Sequence, residues 1–181
     1  MIITISGLPG TGTTTVSKIL QEHYGMDFRN GGEIFRGLAQ ERGMTLAEFG
    51  ALCEADVTVD RLIDEQHKKL SRECDNIILE GRLAGLMAEP PAHVKCIRIW
   101  LKAPLETRVR RIMDREGSSS FKFEMNKTME REESERTRYQ KYYNVDINDL
   151  TGYDIVLDTE PWDQYGVADI LIKAIDLCSG K

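Results

Sequence analysis

The segment Gly7-Leu8-Pro9-Gly10-Thr11-Gly12-Thr13-Thr14 constrains this chain more than any other part of it. It follows Ile2-Ile3-Thr4-Ile5, a β-branched run that reads as a buried strand. It leads into Thr13 to Tyr24, where Val16, Ile19 and Leu20 share one helical face and Gly25 supplies a stop. Glycines in such a turn let backbone N–H groups point inward and cradle phosphate oxygens. The helix after the turn aims its positive end at the same point. The spacing fits G-x-x-x-x-G-K-[ST] at every position but one, because Thr13 stands where a lysine would reach the β- and γ-phosphates. A hydroxyl brings no charge, so other cations must take the lysine's place. Lys18 is not one of them, since five residues along a helix is about 500° and turns it away. Thr14 occupies the position whose hydroxyl ligates Mg²⁺, and Gly7 to Thr14 together with Thr15 form the candidate phosphate site.

The rest of the chain alternates short apolar runs with helical patterns. Met26 to Arg29, Asn76 to Leu79, Cys96 to Leu101 and Tyr153 to Leu157 read as further strands. Helices are expected over Glu33 to Arg42, with Ile34, Leu38 and Ala39 inward, and from the capping-box pattern Thr45-Leu46-Ala47-Glu48. Val57 to Cys74 reads as a long polar helix with Leu62, Ile63 and Leu70 on one side. Pro104 opens Leu105 to Glu116, and Lys127 to Tyr143 and Val167 to Cys178 complete the set. Gly117-Ser118-Ser119-Ser120 reads as a flexible loop. The alternation predicts an α/β, three-layer fold with a mostly parallel sheet of about five strands. Ligands then bind beyond the carboxyl ends of the strands. Residues 7–15, Glu80 to Arg82 and Asp158-Thr159 all fall there.

At 181 residues the chain is expected to be one domain, 1–181. No apolar run approaches about 18 residues, and Met1 to Ser6 lacks the basic flank of a signal peptide. Cys53, Cys74, Cys96 and Cys178 are scattered without a C-x-x-C, which fits reduced thiols in a cytoplasmic protein and gives no support to a zinc site. The net charge of −6 argues against an extended nucleic-acid surface and suits a soluble monomer. His23, His67 and His93 are expected to be surface or satisfied residues. Residues 106–141 hold ten Lys/Arg against eight Asp/Glu, with seven of the fourteen arginines. An arginine-dense segment on an acidic chain points to a small anionic ligand.

The opening Ile-Thr-Ile-Ser-Gly-x-Pro-Gly-x-Gly-x-Thr-Thr, Gly32-Glu33-Ile34-Phe35-Arg36, Glu80-Gly81-Arg82-Leu83-Ala84-Gly85, Arg131 to Tyr139 and Tyr143 to Asp149 together resemble the archaeal-type cytidylate kinases. The likeness runs over essentially the whole chain. It implies a P-loop NTPase fold of the nucleoside-monophosphate kinase type, moving the γ-phosphate of ATP to CMP or dCMP with Mg²⁺. It also implies a helical acceptor-binding region, residues 30–75, and an arginine-rich lid, residues 106–141, closing over the donor. Neither a nucleic acid nor a membrane is an expected partner.

The residues themselves agree with that picture. An acceptor that is a phosphate needs fixed cations, and Arg36 and Arg82 come from different elements to the same strand ends. Arg61, with Asp60 and Asp64, lies on the helix that could close over the acceptor base. Glu80 at a strand end suits Mg²⁺, through water, or a hydrogen bond to the phosphate loop. Arg108, Arg111 and Arg115 share one helix face, and Arg131 and Arg138 another, with Arg136 offset. Arg115, Arg131 and Arg138 are the lid arginines expected to spread the charge of the transferring phosphoryl group. No general base stands out, and a phosphate acceptor needs none, because its second pKa is about 6. The alternatives are a kinase for UMP or AMP, or a nucleotide-binding regulator with little turnover because Thr13 replaces the lysine.

Overall fold

The computed structural model describes residues 1–56 and 58–180. Five parallel strands form one sheet: β1 (Ile2–Gly7), β2 (Asp27–Asn30), β3 (Ile77–Glu80), β4 (Cys96–Lys102) and β5 (Ile155–Asp158), in the order β2-β3-β1-β4-β5. Strand β1 is central, with Ile5 opposite Glu80 on one side and Ile99 on the other. That register sets the end of β3 beside the start of the glycine-rich loop.

Successive side chains on a strand face opposite ways, and both faces of this sheet are covered. Ile3 and Ile5, with Ile78, Ile97, Ile99 and Leu101, pack on Val16 and Leu20 of α1 (Thr13–Tyr24) and on Val167, Leu171 and Ile175 of α8 (Gln164–Ser179). On the opposite face Ile2, Ile77 and Leu79 meet Ala84 of the short α5 (Ala84–Met87). Trp100 there packs with Leu83, Met87, Tyr139 and Ile147.

Four helices build the wall on the β2–β3 side and the cover over the strand ends: α2 (Gly31–Glu41), α3 (Leu46–Ala55), α4 (Thr58–Glu73) and α7 (Phe121–Tyr143). Helix α6 (Leu105–Glu116) packs against α7. The Thr45–Glu48 capping box forms as its sequence predicts. Asn30 caps α2 by accepting from the Glu33 backbone N–H, so α2 starts two residues before the expected Glu33.

Several boundaries differ from the sequence expectation. Helix α7 begins at Phe121, six residues before Lys127, because the Ser120 hydroxyl accepts from the Phe123 N–H and caps it there. Strand β5 starts at Ile155; the preceding Asp154 instead turns its carboxylate to the Arg98 backbone N–H. Helix α5 carries no periodic pattern in four residues and escapes a sequence reading. Leu62 lies on the solvent side of α4, 47% exposed. The face of α4 that packs is Val59, Asp60, Asp64, His67 and Ser71, so its buried stripe is largely polar. Val57, the expected first residue of that helix, lies outside the described residues.

Leu171 is fully buried and Leu177, on the same helix, is 67% exposed. Leu171→Ala should therefore cost about 2–5 kcal/mol in urea unfolding, while Leu177→Ala should stay within about 0.5 kcal/mol. Similar losses from both would show that α8 does not dock on the sheet as described.

Candidate active site

The glycine-rich loop joins β1 to α1 at the carboxyl edge of the sheet. Gly10 and Gly12 both adopt positive φ, +84° and +93°, which side-chain-bearing residues rarely hold. At Gly10 a β-carbon would also lie 2.5 Å from the Arg108 carbonyl oxygen, so the loop presses against α6 there. The Thr11 hydroxyl donates to the Leu8 carbonyl at 2.9 Å and closes the turn. The Leu8 side chain packs among the Trp100–Tyr139 cluster, so this residue contributes backbone to the loop and no polar side chain.

Two cavities flank the loop. One is bounded by α2, α4, the end of β3 and α7. The other lies over the start of α1 and reaches Arg111, Thr159 and Trp162. Gly10, Thr13, Thr14, Arg36, Arg115 and Arg131 line both. Thr15 lines only the second. A group bound at the start of α1 would therefore sit between two open spaces, facing three guanidiniums.

Glu80 stands at this junction and is 4% exposed. Its Oε1 accepts from the Thr13 hydroxyl at 2.7 Å and its Oε2 from the Thr14 hydroxyl at 3.2 Å. Asn30 Nδ2 donates to the Thr14 hydroxyl at 3.3 Å. Burial pushes the Glu80 carboxyl above the ordinary range, opposed by the two hydroxyl bonds and by the charges of Arg82 and Arg36. The position expected to hold a lysine thus carries a hydroxyl turned toward a carboxylate. Lys18 is exposed on the far side of α1.

The arginines differ in what they do. Arg82 Nε donates to Glu135 at 2.7 Å and its Nη1 to the Gly7 carbonyl at 2.8 Å. Arg131 Nε donates to the other Glu135 oxygen at 3.0 Å. Burial would raise Glu135, but the charges of Arg82 and then Arg131 bring it down to about 2. Arg138 is buried and donates to Asp60 at 2.7 Å and to the Ser134 hydroxyl at 2.7 Å, so it ties α7 to α4. Arg108 is buried against the Pro9 carbonyl and Glu132. Arg111 donates to Thr159 Oγ1 and to its carbonyl, both at 2.8 Å, beside Trp162 in the second cavity. Among the described residues Arg115 pairs only with the neighbouring, partly exposed Glu116. Arg36 makes no ion pair among the described residues. Burial lowers the Arg36 pKa, Glu80 opposes that, and Arg131 and Arg115 add repulsion.

The structure brings together Arg36, Arg82, Arg115, Arg131, Arg138 and Glu80 around one cleft. It does not bring Arg61 there. That side chain is exposed, because a step of 100° along α4 from Asp60 carries it off the cleft face. Arg136 is likewise outside the cleft, paired with Glu133 on the exposed side of α7. His67 departs from the expectation of a surface or satisfied residue: it is 2% exposed, lines the cleft, and has no partner among the described residues for either ring nitrogen. Asn30 and Trp162 also line the site and were not singled out by sequence. The N-cap position of Asn30 before Gly31-Gly32 and the seven-residue step from Asp60 to His67 were the available signals. Among the described residues no cluster of three His, Cys, Asp or Glu could hold a metal, and no helix is long and apolar enough to cross a membrane.

A parallel sheet, a glycine-rich loop opening a helix and a second cavity walled by arginines define a P-loop phosphotransferase fold. Solved structures share it over nearly the whole chain. An uncharacterized protein from Eubacterium ventriosum superposes with a TM-score of 0.70 at 22% identity, covering 97% of this chain and 98% of its own. Shikimate kinase from Aquifex aeolicus superposes with a TM-score of 0.56 at 16% identity, covering 99% and 98%. The family model "Cytidylate kinase-like family" matches residues 2–161. A curated cytidylate kinase from Methanococcoides burtonii is 55% identical over 176 residues, covering 97% of each chain. The chain belongs to the cytidylate kinase-like family.

Glu135 has a depressed pKa in the folded state, so its contribution is present above the ordinary glutamate value of 4.5 and is lost as pH falls toward about 2. In Glu135→Gln that part of the acid slope should disappear. The difference between the two stability curves should change by about 3 kcal/mol across this window in urea titrations. Parallel curves would show that Glu135 is not the carboxylate both arginines hold.

Proposed function

We propose that this protein transfers the γ-phosphate of Mg·ATP to CMP or dCMP, giving ADP and CDP or dCDP. Three guanidiniums, Arg36, Arg115 and Arg131, meeting at the start of α1 where the two cavities join, carry the reading. In this arrangement the donor phosphates lie on the loop from Gly7 to Thr15 and the acceptor phosphate lies on the α2–β3 side. An acceptor phosphate oxygen attacks the γ-phosphorus and the bond to the β–γ bridging oxygen breaks, releasing ADP. The acceptor oxygen is already anionic near pH 7, so no side chain need take a proton. Catalysis then consists of alignment and charge stabilisation by fixed cations.

The chain acts as one domain, with residues 30–75 as the acceptor wall and 106–141 as the lid. Arg36 and Arg82 serve the acceptor phosphate. Arg115 and Arg131 serve the transferring group, and between them supply the charge that Thr13 lacks. Arg138 holds the lid to the acceptor wall through Asp60, in keeping with its bond there. The flat faces of Arg111 and Trp162 suit the donor's purine ring. The all-oxygen set of Thr14 and Glu80, 3.2 Å apart, fits Mg²⁺. Thr14 would hold it and Glu80 would act through water. When bound, the ion neutralises charge on the β- and γ-phosphates.

A regulator with little turnover remains a distinct second reading. The observation that favours it is the Thr13 hydroxyl, which is turned to Glu80 and away from a phosphate role. ADP formation separates the two readings, measured with Mg·ATP and CMP, dCMP, UMP, AMP or no acceptor. CMP and dCMP should give most of the ADP, EDTA should abolish it, and Arg36→Ala should lower kcat/KM for CMP roughly ten- to a hundredfold. ATP binding with no ADP in any well would support the regulator.

A further inference from the structure

The carbonyls of the glycine-rich loop are held outward by side chains, and any use of that arrangement in binding the donor rests on the donor phosphates lying on this loop. The Gly7 carbonyl accepts from Arg82 Nη1 at 2.8 Å and the Leu8 carbonyl from the Thr11 hydroxyl at 2.9 Å. The Pro9 carbonyl accepts from Arg108 Nη1 at 3.2 Å and the Thr11 carbonyl from the Thr159 hydroxyl at 3.1 Å. Arg108, unlike Arg82 and Thr159, lines neither cavity, so it works from behind the loop. In a trans peptide unit the C=O and the following N–H lie in one plane and point opposite ways. The carbonyl that Arg108 holds back therefore aims the Gly10 N–H forward, to the side of the two cavities that Gly10 lines. The Thr11 carbonyl sets the Gly12 N–H likewise. Helix α1 carries no side-chain cap, which leaves the N–H groups of its first turn open at the same end.

Arg108 is fixed on every side. Its Nε donates to the Ala103 carbonyl at 3.0 Å, and Nη1 and Nη2 both reach the Glu132 carboxylate on α7. The Arg108 side chain is 6% exposed and that of Glu132 20%. A buried ion pair is a weak source of net stability, and apolar residues of like volume often serve as well. What they cannot supply is a donor for the Pro9 carbonyl. That carbonyl needs one, because Gly10, at φ +84°, has no side chain to resist rotation of the Pro9–Gly10 peptide. Arg82 repeats the arrangement: Nη1 holds the Gly7 carbonyl and Nε holds Glu135, three residues along α7 from Glu132.

We propose that Arg108 is a positioning residue for phosphoryl transfer: backed by Glu132, it holds the Pro9 carbonyl away from the donor phosphates and keeps the Gly10 N–H aimed at them. Without it the Pro9–Gly10 peptide is free to turn, and a turned peptide presents a carbonyl oxygen to an anion in place of a donor. The loss falls on the donor and spares the acceptor, which the α2–β3 side holds.

The test titrates the full chain with Mg·ATP and with Mg·tripolyphosphate, which offers phosphates and no base. Arg108→Met combined with Glu132→Gln removes both charges and strands no buried carboxylate. Its Kd for both ligands should rise about tenfold or more, while the KM for CMP at saturating ATP stays within about twofold. Arg108→Lys, which keeps a charged donor, should recover most of that affinity. In the wild type the Gly10 amide proton should shift downfield in NMR spectra when Mg·tripolyphosphate binds, a readout that needs no variant. Wild-type affinity for tripolyphosphate in the folded double variant would overturn the proposal. So would equal losses toward ATP and CMP, the mark of a merely structural pair, or a Gly10 amide that does not respond. Wild-type protein that binds neither Mg·ATP nor Mg·tripolyphosphate would instead overturn the kinase reading on which the proposal rests.

Discussion

One carboxylate ties the moving charge of this cleft to its frame. Glu135 sits on α7 and is bonded to Arg82 from the end of β3 and to Arg131 one turn back on its own helix. Arg82 in turn donates to the Gly7 carbonyl at the start of the phosphate loop. The loop, the end of β3 and α7 are thereby linked through one buried chain of charge-assisted bonds. Desolvating such ions is costly, and a buried pair is weak as a source of net stability. Its value lies in placement: with Nε committed to Glu135, each guanidinium has a fixed orientation and keeps other N–H groups for the cleft.

The missing lysine changes how the charge is arranged more than how much of it there is. A lysine at position 13 would travel with the loop and act as a point charge. In its place Thr13 bonds Glu80, and the arginines that line both cavities come from α2, α6 and α7. Charge that arrives on separate elements depends on those elements coming together. Burial lowers the Arg36 pKa, and the charges of Arg131 and Arg115 lower it further against the pull of Glu80, so an anion beside Arg36 would be favoured.

Much of the fold was legible because its signals are local. The strand-loop-helix start, the capping box at Thr45 and the αL glycines closing helices α1 and α6 each depend on a few adjacent residues. The limits of α7 were less legible: its first turn has a cap but no apolar stripe, since Phe123 is exposed and Glu124 is buried. At the site, Arg36 and Arg82 were legible from their places after a glycine-rich helix start and a strand end. Arg61 was misplaced and His67 passed over for the same reason. A helix that buries Asp60, Asp64 and His67 and exposes Leu62 inverts the usual rule that the apolar face turns inward.

That inversion is opposed by folding. Asp64 is raised to about 6, so the stability it contributes is full below 3.8 and is lost as pH rises through 6. His67 is lowered to about 4, so its contribution is full above 6.5 and is lost as pH falls through 4. The two demands conflict, and at neutral pH the wall holds a buried carboxylate together with a neutral ring whose nitrogens have no partner among the described residues. Leucines at these positions would relieve both penalties and would fit the helix as well. The pair is held in place by packing: His67 lies between Gly31 and Gly81, where any β-carbon would crowd its ring, and Asp64 lies beside the Tyr143 hydroxyl.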